Sequence, residues 1–169
     1  MSGFAEGAVR QRTAWAPGLV TLSIEASIEP FSAGQFRNVA LYRDGELERR
    51  AYSMASAPGA PLEFFLNRVD GGTFSPTLCD LPEGAPVLVE KKAQGFFTLG
   101  YVPSCEEIWL VATGTGLAPF VSMLRTDEPW QRFSRIVVVH GVREALHLAY
   151  RDELAQRSKE HGGRLTSVP

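Results

Sequence analysis

Arg50 to Ser56, Arg-Ala-Tyr-Ser-Met-Ala-Ser, places a guanidinium, a phenol and two hydroxyls in one short run. If the run is extended to Ala55, alternation sends Arg50, Tyr52 and Met54 to one face and Ala51, Ser53 and Ala55 to the other. A flat ligand that carries phosphates needs this set: a fork for the phosphates, a ring to lie against its plane, and a hydroxyl for the ring edge. Taken alone, the run also reads as an edge strand with a solvated Arg and a half-buried Tyr.

Two glycine-rich turns add candidate anion sites. Gly71-Gly72-Thr73-Phe74-Ser75 leads into a short helix, with Ser75 expected as N-cap and Pro76 at the first helical position. Free backbone N–H groups and the helix dipole favour an anion there, and Arg50 on a neighbouring strand would close over it. Thr113-Gly114-Thr115-Gly116-Leu117-Ala118-Pro119 follows an apolar run, as a dinucleotide-binding turn does. Pro119 stands where the third glycine of G-x-G-x-x-G would be. Arg143 lies just past a second apolar run, where such a fold selects its ribose. A carboxylate there takes a 2′-hydroxyl and a cation takes a 2′-phosphate. Glu144 adjoins it, and the balance favours NADP over NAD. Each feature also has a plain reading: a capped helix, a tight strand-to-helix turn, a solvated arginine.

Other chemistries find no support. His140, His147 and His161 do not cluster with carboxylates or cysteines at ligand spacing, so no metal is expected. His140 ends an apolar run and reads as a packed side chain. No nucleophile and base pair points to hydrolysis, and no Gly-Lys-Ser/Thr follows the glycines.

The elements that must position these residues fall into two textures. Val20–Ile28, Gln35–Tyr42, Arg50–Ala55, Leu62–Val69, Pro86–Lys91 and Gly95–Leu99 read as short strands, with Asp44-Gly45 as a hairpin turn. They predict a small antiparallel β-barrel over residues 1–103. Residues 104–169 predict a partial α/β domain with a parallel sheet. Its strands Ile108–Ala112 and Arg135–His140 are expected to be buried on both faces. Helices are expected at Phe120–Arg125 and Ala145–Glu160, and a third strand at Arg164–Val168. A three-stranded parallel sheet that stops in mid-strand implies a chain truncated or continued beyond Pro169.

The chain has 169 residues, 44% of them hydrophobic and 21% charged, within the range of ordinary globular proteins. Its net charge of −2 argues against nucleic acid as a partner. No apolar stretch approaches the roughly 20 residues of a membrane helix, and the N-terminus lacks the pattern of a secretion signal. Cys79 and Cys105 are expected to be buried free thiols of a reducing compartment, which makes cytoplasm the default.

The order of motifs resembles the bacterial ferredoxin/flavodoxin–NADP⁺ reductase family. Arg-Ala-Tyr-Ser, Gly-Gly-Thr-Phe-Ser before a short helix, and Ala-Thr-Gly-Thr-Gly-Leu-Ala-Pro opening an α/β domain carry the resemblance. Ala33 to Phe36, Leu62 to Phe65 and Gly95 to Leu99 extend it, so that it covers about residues 5–169. The resemblance implies an FAD-binding barrel in which Arg50 holds the pyrophosphate, Tyr52 stacks on the isoalloxazine, and Ser53 hydrogen-bonds the N5 that accepts the hydride. It implies contacts from Ala51 and from the backbone of Phe65, Leu66 and Arg68, and a pyrophosphate cradle from Gly72, Thr73, Phe74 and Ser75. It implies NADP(H) on Thr113, Gly114, Thr115 and Gly116, with Thr115 near the flavin and Arg143 on the 2′-phosphate. The family's third parallel strand runs on into further NADP contacts, two more strands and a terminal segment over the flavin. These lie outside this sequence.

The activity implied is electron transfer between NADPH and ferredoxin or flavodoxin by a monomer, with no membrane partner. An NAD(P)H-dependent flavin or oxygenase-component reductase shares the barrel and sheet; no four-cysteine pattern points to a fused iron–sulfur cluster. A truncated, non-enzymatic flavin-binding or electron-transfer module is the alternative of a different class. A nucleic-acid-binding barrel is disfavoured by the acidic balance and by the α/β half.

Overall fold

A computed structural model of the protein describes residues 3–169. Strands β1 (Phe4–Ala16), β2 (Leu19–Ala26), β3 (Phe36–Arg43), β4 (Glu46–Ser53), β5 (Leu62–Asn67) and β6 (Pro86–Glu90) form one antiparallel sheet, ordered β4-β3-β6-β1-β2-β5. The sheet curls until its edge strands β4 and β5 meet at one end. There a single bridge joins Met54 to Phe64, and the Ala55 N–H donates to the Glu63 carbonyl at 2.7 Å. The result is barrel-like but not closed. Alternating residues such as Val20, Leu22, Ile24, Phe64, Leu66, Val87 and Val89 fill its core. Helix α1 (Phe74–Cys79) buries Phe74 and Leu78 in the same core.

The second unit runs β7 (Glu107–Thr113), a 3-10 turn (Gly114–Leu117), α2 (Ala118–Leu124), α3 (Glu128–Arg132), β8 (Arg135–Gly141), α4 (Arg151–Glu160) and β9 (Leu165–Val168). Its three strands are parallel in the order β7-β8-β9. One core joins the units: Leu19, Ala55 and Phe65 of the barrel pack with Leu117, Val121, Leu124 and Tyr150. Among the described residues, no helix is long and apolar enough to cross a membrane.

Several expectations require correction. The longest strand, β1, is not apparent in the sequence, because bulges between Val9 and Gln11 and between Ala14 and Ala16 break its period. The strand expected to reach Ala55 stops at Ser53, where the chain bends to make the Met54 bridge. Gly95–Leu99 is not a strand: Gln94 bridges Phe36 once, then the chain turns into a 3-10 segment at Leu99–Tyr101. Ser75 does not cap α1. Thr73 occupies that position, Pro76 falls third in the helix, and the Ser75 hydroxyl accepts from the Val69 N–H at 3.0 Å.

In the second unit, α3 is an element that the sequence pattern does not predict, and the helix expected from Ala145 begins at Arg151. It is interrupted by a 3-10 turn at Ala145–His147 and by Tyr150, whose φ of 60° is left-handed. That conformation costs a non-glycine residue roughly 1–2 kcal/mol, which its packing must offset. β7 is buried on one face only: Leu110 and Ala112 are covered, whereas Trp109 and Val111 are 59% and 63% exposed. Of the two free cysteines, Cys79 is buried as expected but Cys105 is exposed.

Candidate functional site

The two edges of the curled sheet make a seam. The register of the Met54–Phe64 bridge, carried outward, sets Ser53 opposite Phe65, Tyr52 opposite Leu66 and Arg50 opposite Arg68. No ladder forms along that stretch, so the outer backbone edges of β4 and β5 have no strand partner there.

Side chains furnish one wall. The Tyr52 ring is half-buried, 6.4 Å from Phe74 at a 20° interplanar angle and 6.5 Å from Phe64, edge-on. Burial, aided by nearby Cys79 and opposed by Arg50, raises the Tyr52 pKa, so its hydroxyl stays protonated at neutral pH. Arg50 is exposed, with its guanidinium 5.5 Å from the Phe74 ring centroid. Its Nη1 donates to the Arg49 carbonyl at 2.8 Å, and among the described residues no carboxylate pairs with it. Ser53 is half-buried and paired with Phe36 of β3; Ala51 beside it is exposed.

Across the seam, Phe65 and Leu66 turn their side chains into the core, leaving only their backbone for a ligand. Arg68 is engaged. Its guanidinium bonds to the Asp80 carboxylate, which raises the Arg68 pKa, and its N–H donates to the Gly18 carbonyl at 2.7 Å. Gly71 and Gly72 turn the chain toward α1, where Gly72 donates to the Val69 carbonyl at 3.0 Å. Thr73 is exposed, Phe74 buried and Ser75 committed to the turn. Thus α1 and β4 bring Arg50, Tyr52 and Phe74 together, while Arg68 and Ser75 are occupied within the protein.

The second cluster sits at the C-terminal ends of β7 and β8. Thr113 aligns with Gly141 in the parallel register, so Arg143, two residues on, emerges at the end of the sheet that carries the glycine turn. Gly114 has a φ of 50°, and there is open space where a Cβ at Gly114 or Gly116 would project. Arg143 is exposed and makes no ion pair among the described residues. His140 is buried as expected, but it does more than pack: its Nε2 lies 2.9 Å from the Gly114 carbonyl and fixes the turn. Its sequence signal was a single histidine 26 residues after the glycine, which local patterning does not connect. Among the described residues no group of His, Cys, Asp and Glu could hold a metal.

A parallel sheet with a glycine turn at the C-terminal ends of its strands is where doubly wound α/β folds bind dinucleotides, and here a barrel-like antiparallel sheet with an arginine-bearing edge adjoins it. Residues 110–169 match the oxidoreductase NAD-binding domain family. The chain is 39% identical over 166 residues to the flavodoxin/ferredoxin–NADP reductase of Escherichia coli, covering 98% of this chain and 67% of that one. Its structure superposes with a TM-score of 0.91 on a ferredoxin NADP⁺ reductase from Neisseria gonorrhoeae solved with bound FAD and NADP, at 31% identity, covering all of this chain and 68% of that one. It is also similar to a cytochrome P450 reductase from Amycolatopsis, with a TM-score of 0.83 and 28% identity over 98% of this chain and 51% of that one. The chain belongs to the flavodoxin/ferredoxin–NADP reductase family.

Proposed function

We propose that the chain is the FAD- and NADP-binding part of a reductase that passes electrons between NADPH and ferredoxin or flavodoxin. FAD occupies the seam between β4 and β5. The observation that carries this reading is the guanidinium of Arg50, paired with no carboxylate among the described residues and held over Phe74 beside the half-buried Tyr52 ring. Arg50 binds the pyrophosphate, with backbone groups from Gly72 to Ser75 completing its cradle. Tyr52 lies against the isoalloxazine, and Ser53 holds a hydrogen bond at the N5 edge. Ala51 and the backbone of Phe65, Leu66 and Arg68 line the remaining edges. When bound, the flavin supplies the ability to take two electrons from a nicotinamide and release them singly.

Thr113 to Gly116 seat the nicotinamide ribose and pyrophosphate, with Thr115 toward the flavin, and Arg143 meets the 2′-phosphate. Residues 1–103 then form the flavin domain and 104–169 the nucleotide domain of a cytoplasmic monomer. Similarity to the Amycolatopsis cytochrome P450 reductase favours a second reading, an NAD(P)H-dependent oxygenase-component reductase, which shares the barrel and sheet and differs in its acceptor.

An anaerobic absorbance titration of the FAD-loaded chain with NADPH, then NADH, tests the reading. Bleaching at much lower NADPH than NADH is the expected result. Bound flavin that neither nucleotide bleaches would instead make this chain a flavin-binding module. A folded chain that retains no FAD would overturn the seam itself.

A further inference from the structure

The junction between the two sheets is held by groups that take no part in the cofactor sites. Arg125, the residue after α2, donates from Nη1 to the Glu63 carboxylate of β5 at 2.6 Å and to the Ala55 carbonyl at 3.0 Å. Its Nε and Nη2 donate to the two carboxylate oxygens of Glu153 in α4, each at 2.8 Å. Burial would raise the Glu153 pKa, but the hydrogen bonds and charges of Arg125 and Arg157 hold it below the usual carboxylate range. The Arg125 guanidinium also lies 5.7 Å from the centroid of the Tyr150 ring.

Tyr150 is the second element of the junction. It is 3% exposed, and its hydroxyl is 2.7 Å from Thr21 Oγ1 of β2, a group that also accepts from Trp15 Nε1 at 2.9 Å. The ring meets Phe65 of β5 edge-on at 5.2 Å and Trp15 of β1 at 4.7 Å. A left-handed residue just before α4 thus inserts an aromatic ring into the barrel wall.

These contacts fasten one cofactor site to the other. β5 is a wall of the flavin seam, and α2 starts directly after the nicotinamide turn and ends at Leu124, just before Arg125. Seven helical residues span about 10 Å, so a tilt at the Arg125 end displaces the turn at the other. We infer that Arg125 and Tyr150 are positioning residues that fix the angle between the two sheets, and with it the distance from Thr113–Gly116 to Ser53. The inference rests on the cofactor placement proposed above. Reactions between two bound partners are sensitive to such placement: a 1 Å error arising far from the chemistry costs on the order of a hundredfold.

The test pairs a distance with a rate on the FAD-loaded chain. A spin label on the exposed Cys105 and another on Glu46→Cys, at the start of β4, span the junction. Cys79 is buried with its thiol pKa pushed up to about 11, so it stays unlabelled at neutral pH. The parent should give one narrow distance distribution. Arg125→Gln should broaden it and slow flavin reduction at saturating NADPH about tenfold or more, with FAD stoichiometry and the KM for NADPH nearly unchanged. Tyr150→Phe, which removes only the hydroxyl, should do the same to a smaller degree, and it carries the test if Arg125→Gln does not fold.

An unchanged narrow distribution in both variants would overturn the inference. A broadened distribution with an undiminished rate would reduce Arg125 and Tyr150 to structural glue and overturn their positioning role. If NADPH fails to bleach the parent, it is the cofactor reading that fails; the distances then still decide whether these residues set the angle.

Discussion

The turn at Gly71–Ser75 and the turn at Thr113–Gly116 both lead from a strand into a short helix, yet the chain equips them differently. Around the first it gathers side chains: Arg50 over Phe74, with the Tyr52 ring alongside. Around the second it gathers mainly backbone, with His140 anchoring the Gly114 carbonyl and Arg143 at the adjacent strand end. A site built from side chains concentrates its binding in a few replaceable groups. A site built from backbone spreads it over conformation, so single substitutions there should have smaller effects.

The largest effect is expected at Arg50. Hydrogen bonds to charged groups contribute about 1.5–3 kcal/mol each, so Arg50→Ala should weaken FAD binding by roughly 10- to 100-fold. The fold should tolerate the change, since Arg50 is exposed and, among the described residues, its side chain hydrogen-bonds to no group but the Arg49 carbonyl. Equilibrium dialysis against FAD, with circular dichroism as a folding control, measures both. An unaltered FAD affinity would erase the contrast between the turns.

Next in size is Ser53→Ala. One neutral hydrogen bond contributes about 1 kcal/mol, so flavin reduction should slow about fivefold while FAD stays bound. Stopped-flow bleaching by NADPH reads this, and an undiminished rate would remove Ser53 from the mechanism. Arg143→Ala should raise the KM for NADPH by a similar factor and leave that for NADH unchanged. Equal shifts for both nucleotides would deny Arg143 a role in recognising the 2′-phosphate.

The same contrast governs what could be read in the sequence. The seam announces itself because Arg50, Tyr52 and Ser53 share one short strand, and their chemistry is unusual for a core strand. The strands themselves are legible wherever they alternate, as in β2; β1 is not, since its bulges shift the period twice. What the sequence hides is set by contacts across the fold. Arg68 is tied to Asp80, 12 residues on, and Ser75 looks like a cap but serves Val69. The apolar run of β7 suggests burial on both faces, but periodicity cannot tell which face finds a partner. Arg125 and Glu63 are 62 residues apart, and only the meeting of the two sheets pairs them.

The smallest effect, and the sharpest probe of the contrast, lies in the two glycines. An alanine Cβ at Gly72 would come within 3.0 Å of the Val69 carbonyl oxygen, so Gly72→Ala is opposed by contact. At Gly114 a Cβ meets nothing within 4 Å, and the obstacle is the φ of +50° alone. Gly114→Ala should therefore cost roughly 1 kcal/mol and lower the Tm by about 2–4 °C for a chain of this size. Asparagine tolerates the left-handed region better than alanine does, because its short polar side chain bonds locally. Gly114→Asn should accordingly recover part of the loss, whereas Gly72→Asn should recover none. Calorimetry on the four variants separates conformation from contact. Equal losses for Ala and Asn at Gly114 would mean that the turn resists side chains for a reason other than its backbone angle.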